Sequence, residues 1–118
     1  MTTDRLSWFA LAALSLALAL GCAAGVGKRG GLTSEAVAAL PSGVVDSYRL
    51  FAQRCSRCHN LSRPLNASIT DDEHWRSYIS RMRRNSGSGI SVRDGQRILV
   101  FLSHWAGEKR RANEGGSP

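Results

Sequence analysis

The residues best equipped for chemistry are Cys55-Ser56-Arg57-Cys58-His59. Two thiols three positions apart, with an imidazole directly behind them, form the attachment pattern of a c-type haem. The spacing has a chemical reason. On one helical turn the two sulfurs point to the same side and reach the two vinyl groups of one porphyrin as thioethers. His59 follows at once, so its ring can lie under the iron and give a proximal nitrogen ligand. The competing chemistries are a redox CxxC pair and half of a zinc site. A dithiol oxidoreductase would have a strand and a helix leading into the motif, and the sequence before Cys55 shows no such context. A structural zinc site needs four ligands. No cysteine follows Cys58, and His74 and His104 are not spaced as a ligand pair.

A haem iron has a sixth position to be filled or left open. Met82 is the only methionine besides the initiator. It lies in a segment opened by Thr70-Asp71-Asp72-Glu73, a hydroxyl cap with a glutamate three residues on and acids in the first turn. Trp75, Tyr78, Ile79 and Met82 then recur at helical spacing and share one face. Asn85-Ser86-Gly87-Ser88-Gly89 breaks the helix. A methionine on an apolar helix face is ordinarily core filling. Beside a haem, the same inward face makes Met82 the leading candidate for a thioether ligand. His74 ranks second, because one step from Trp75 turns it about 100° away, toward the exposed start of the helix. An open position ranks third. Arg81, Arg83 and Arg84 flank Met82. A solvated helix face accounts for such a run. The sharper reading is a basic docking rim, since charge complementarity sets the on-rate of small, transient contacts.

Three further segments must position these groups. Val44, Val45, Tyr48, Phe51 and Ala52 predict a helix from about Gly43 into the motif, with Tyr48 and Phe51 inward and Cys55 and Cys58 in its last turns. Residues 60–66 read as a loop. Ser91 is the cap of a last helix with Asp94 in its first turn. Ile98, Leu99, Phe101, Leu102 and Trp105 form its apolar stripe, His104 lies at the boundary or surface, and Gly107 ends it. The chain then runs to Pro118 as a polar, mobile tail over 107–118. A short helix over 32–40, capped by Thr33 or Ser34, precedes Pro41.

With 118 residues, this is one small domain at most. The net charge of +7 suggests an anionic partner. Part of the 42% hydrophobic content sits at the front. From Leu6 to Leu20 the chain is apolar and uncharged, a length that suits the h-region of an export signal better than a spanning helix, which needs about 20 residues. An uncleaved membrane anchor is the alternative. Leu18-Ala19-Leu20-Gly21-Cys22 resembles the lipobox of bacterial lipoproteins, with the leucine one position early. That resemblance implies a signal peptide over 1–21, lipidation of Cys22 and a stable anchor on the periplasmic side of a membrane. All three cysteines are then used, one for lipid and two for haem. Residues 22–41 read as a lipidated, Gly-rich tether, and the domain proper as 42–106.

The order of these features resembles a small monohaem cytochrome c. A haem-motif helix leads to a capped helix of the form Trp…Tyr-Ile…Arg-Met, then to a Gly-containing turn, then to a Ser-capped helix ending in Phe-Leu…Trp. The resemblance covers about Ser42 to Trp105. It implies an all-α, cytochrome c-like helical domain wrapped around one covalent haem c, bound through Cys55 and Cys58, with iron held by His59 and Met82. It implies that the first and last helices cross, with contacts among Tyr48, Phe51, Phe101 and Trp105. Pro64 stands where the family's proline carbonyl holds the other nitrogen of the proximal histidine; a proline that only punctuates the loop is the equal alternative. The departure is Met82, which follows His59 by only 23 positions and lies on a helix. The implied role is an exported, membrane-tethered carrier of single electrons rather than an enzyme, with no small-molecule substrate. Its partner would be an acidic redox protein or membrane redox complex, and no nucleic acid. The alternative is a haem subunit, or a small haem enzyme or sensor, with an open or exchangeable sixth position. A folded region of this size is marginal on its own, so a covalently held macrocycle would supply part of the core.

Overall fold

A computed structural model describes residues 28–116 of the chain. The expected signal peptide and Cys22 lie outside the described residues. After a short 3-10 turn at Lys28–Gly30 come helices α1 (Ser34–Ala38), α2 (Ser42–Cys55), α3 (Ser62–Leu65), α4 (Asp72–Arg84) and α5 (Val92–Gly115). No strand occurs among the described residues, and the domain is all-α. None of the described helices is long and apolar enough to cross a membrane.

The core is a crossing of α2 with α5, and α4 packs on α5 beside it. The apolar residues of α2 and α5 recur every three or four positions, so each helix buries one stripe. Phe51 and Phe101 are fully buried and their rings lie 4.9 Å apart. Tyr48 meets Phe101 edge-on at 5.0 Å, and Trp105 stacks on Phe101 at 6.3 Å. The Tyr48–Phe101 and Phe51–Phe101 pairs are contacts expected between the first and last long helices; the Phe101–Trp105 pair lies within α5. Gly95 lets α4 and α5 approach closely: a Cβ there would meet Ile79 Cγ2 at 3.1 Å and Arg83 Cδ at 3.2 Å.

The folded unit begins earlier than Ser42. Leu32, Val37 and Leu40 pack on the core, the Leu32 N–H donates to Tyr48 Oη at 2.8 Å, and the Leu61 N–H donates to the Arg29 carbonyl at 2.8 Å. The segment expected as a tether over 22–41 is therefore part of the fold from Arg29 onward. The short helix does form, with Thr33 as its cap accepting from the Ala36 N–H.

Two ends differ from expectation. The last helix does not stop at Gly107 but continues to Gly115, so residues 107–115 of the expected tail are helical. Tertiary anchors explain this. Trp105 Nε1 donates to the Leu65 carbonyl at 2.9 Å, Lys109 donates to the carbonyls of Leu65 and Ala67, and Arg110 donates to that of Thr70. Held to the 65–70 segment in this way, a run of good helix formers outweighs one glycine. At the start of α4 the cap is Asp71 rather than Thr70. Asp71 is extended and its carboxylate accepts from the His74 N–H at 2.9 Å, so the Thr70–Glu73 box does not form. The cap of α5 is as expected: Ser91 Oγ accepts from the Asp94 N–H at 3.0 Å, and Asp94 accepts from the Ser91 N–H at 3.2 Å.

Candidate functional site

The motif lies where α2 ends. Cys55 is the last residue of α2, and Cys58 falls in the turn that follows rather than on the helix as expected. The turn swings Cys58 into solvent while Cys55 stays buried. Its far wall comes from α4. Tyr78 and Met82 lie on the edge of the inward face of α4 that looks back at the motif, about 60° round from the Trp75 and Ile79 positions sunk in the core.

Between these walls is a cleft of about 390 Å³, lined by Cys58, His59, Arg63, Tyr78, Arg81 and Met82, with Asn85 at its edge. A smaller cavity of about 50 Å³ shares Cys58, His59 and Met82 with it and reaches Cys55, Arg54 and Ile90. Together they bring both thiols, the imidazole and the lone internal thioether onto one space. The size lies at the lower end of the range of small-molecule and cofactor sites, about 300–1,000 Å³.

His59 Nδ1 lies 3.0 Å from the Asn60 carbonyl. A carbonyl only accepts, so this bond puts the proton on Nδ1 and leaves the Nε2 lone pair free for a metal. The holding carbonyl is that of Asn60. The Pro64 carbonyl accepts from the Ala67 N–H at 3.1 Å inside the α3 turn, and Pro64 is buried there. His74 takes no part in the cleft. It is exposed and pairs with Asp71 at 2.5 Å.

Cys55 is unsuited to act as the attacking thiol of a disulfide exchange. Burial pushes the Cys55 thiol up to about 12. Cys55 also closes a helix at its C-terminal end, where the partial negative charge of the dipole opposes a thiolate. A redox CxxC needs the reverse, a depressed pKa at a helix N-terminus. Among the described residues no three His, Cys, Asp or Glu side chains gather as a metal site. What the cleft offers instead is one nitrogen and one thioether donor, the pair a metal already held in a macrocycle needs, with two thiols beside them.

Three features of the surroundings escaped the sequence. Arg63 and Tyr78 line the cleft, with the Arg81 guanidinium 5.7 Å from the Tyr78 ring centre. Arg54, directly before Cys55, pairs with Asp94 at 3.3 Å and so ties the motif end of α2 to the start of α5. Arg57, inside the motif, donates to the Ser88 carbonyl at 3.4 Å. This closes the Gly87–Gly89 turn over the cavity; both glycines take left-handed backbone angles, φ +76° and +63°. The positions of Arg54 and Arg57 held no signal for their contacts, because their partners are 40 and 31 positions away. Trp75 Nε1 is buried without a hydrogen-bond partner among the described residues, and its ring packs edge-on against Tyr78 at 5.5 Å. A buried, unpaired N–H costs about 1–3 kcal/mol.

Of the three arginines expected as one docking rim, Arg83 is set apart from the other two. Arg81 faces the cleft, Arg83 lines a groove between α4 and α5, and Arg84 donates to Ser80 Oγ at 2.8 Å on the exposed side. No family model, no curated protein and no solved structure matches this chain, so the reading of the site rests on its own residues.

Proposed function

We propose that this chain is a c-type cytochrome that carries single electrons through one covalent haem, exported and tethered to a membrane by a lipidated Cys22. The observation that supports it best is the convergence of Cys55, Cys58, His59 and Met82 on one cleft. The motif and the methionine come from separate helices, and chance gives no reason for them to meet.

When bound, the haem supplies a one-electron couple between ferric and ferrous iron. The chain's own groups set its terms. Cys55 and Cys58 hold the macrocycle as thioethers. The Asn60 carbonyl fixes the His59 ring with Nε2 available, and the Met82 sulfur is the donor from the α4 wall. A thioether in place of a second imidazole favours the reduced form and raises the potential. Ile90 and the aliphatic part of Met82 exclude water, which works in the same direction. Arg63 and Arg81 make the mouth of the cleft basic, suited to an acidic redox partner.

The test is the visible spectrum of the haem-loaded protein, ferric and ferrous, with and without carbon monoxide, for the wild type and Met82→Ala. A low-spin wild type inert to carbon monoxide, beside a variant that binds it, is the expected result. A wild type that binds carbon monoxide removes Met82 as ligand and puts an enzyme or sensor with an open position first. Absence of covalent haem overturns the proposal.

A further inference from the structure

Helix α4 is a wall between two spaces. One flank, with Tyr78, Arg81 and Met82, faces the cleft; the other, with Arg76, Ser80 and Arg83, faces α5 across a separate groove of about 280 Å³. The groove floor is Ile79, Val92, Gly95 and Leu99. Val92 and Val100 are the large hydrophobic residues left most open to water among those described, 60% and 49% exposed, and both belong to α5. At 100° per residue, Val92, Leu99 and Val100 fall within a 100° arc, so they form one apolar stripe along the outside of the helix. Arginines border it on both sides: Arg76 and Arg83 from α4, and Arg93 and Arg97 one step further round α5. Arg83 lays its stem against Gly95, and its Nε is shielded from water with no hydrogen-bond partner among the described residues.

We infer that this groove docks an acidic protein segment, an apolar side chain seated between carboxylates, at a surface separate from the cleft. An apolar stripe rimmed by arginine is the composition of a protein interface. The charge decides the occupant. A second copy of this chain would bring arginine against arginine, whereas carboxylates pair with the guanidinium groups of both rows. The concave floor takes a protruding side chain, which a flat anionic lipid surface does not offer. The inference does not depend on haem. For an electron carrier it means that one face holds the partner while the cleft remains open to exchange.

The probe is a dye-labelled synthetic helix with leucines along one face and glutamates flanking them, titrated into the full-length protein and read by anisotropy. Val92→Asp is suited to the test because Val92 is exposed and an acid at the first position of a helix is tolerated. Binding is expected to weaken about tenfold or more in Val92→Asp and in Arg76→Glu, and to stay within about twofold in Arg81→Glu. A leucine-free glutamate helix should bind far more weakly. Equal losses in Arg81→Glu and Arg76→Glu, equal binding of the leucine-free helix, or no binding would overturn the assignment. Tighter binding to phosphatidylglycerol vesicles, lost in the same two groove variants, would overturn it in favour of a membrane surface.

Discussion

The crossing of α2 with α5 and the cleft between the motif and α4 are built from neighbouring stretches of chain but are finished to different degrees. In the crossing, Phe51, Phe101, Ile98 and Leu102 are shut off from water and fill one another's spaces. Around the cleft, Cys58 is exposed, His59, Tyr78 and Met82 are half-buried, and the polar Asn85 and Arg81 share the walls. The first region is complete as protein. The second is an open cleft lined by thiol, imidazole, thioether and guanidinium groups. The scaffold is thus carried by contacts between chain segments, while the site gathers polar and ligating groups near the surface.

Removing what the cleft would hold tests that contrast most severely. Haem-free Cys55→Ser/Cys58→Ser protein is expected to lose its cooperative thermal transition, because a core this small is marginal without the added apolar body. A cooperative transition in that variant would show that the α2–α5 crossing suffices alone. Next comes the crossing itself. Phe101→Ala should cost about 3–5 kcal/mol in urea unfolding, from the lost contacts and the cavity left at a fully buried ring. The spectrum of the protein that remains folded should keep its Met82 signature; a change there would mean that the two regions are one cooperative unit.

The smallest expected effect lies where they join. The Ser91 backbone N–H, aided by the Arg54 guanidinium, holds the Asp94 carboxyl below the usual range, while partial burial opposes this. A carboxyl with a depressed folded pKa contributes stability that is fully present above its unfolded value, about 3.9, and is lost as pH falls through the folded value. Asp94→Asn should therefore cost about 1 kcal/mol at neutral pH, the scale of a helix cap. Its unfolding free energy should also vary less with pH below about 4 than that of the wild type. An identical acid profile in both proteins would remove Asp94 as the link between α5 and the motif.

Local rules were enough for what is local in this molecule. The five-residue motif of two thiols and an imidazole is legible by spacing alone. The Ser91–Asp94 box and the Thr33 cap follow from side chains reaching a backbone N–H three residues away. The helical period put Trp75, Tyr78, Ile79 and Met82 on one face. At Asp71 even local reasoning slipped by one residue, since an aspartate and a threonine compete for the same cap and the backbone angles decide between them.

The sequence by itself determined which side chains could serve as donors, Cys55, Cys58, His59 and Met82, and the inward face of α4, because residue types and a fixed angular step need no knowledge of neighbours. Only the tertiary structure decided what that face meets. It turned Met82 toward the motif, moved the histidine's backbone partner from Pro64 to Asn60, and carried α5 past Gly107 by fastening Trp105 and Lys109 to carbonyls some 40 positions away. Such choices depend on which helices cross and how closely, and packing between distant segments sets that balance where no local pattern records it.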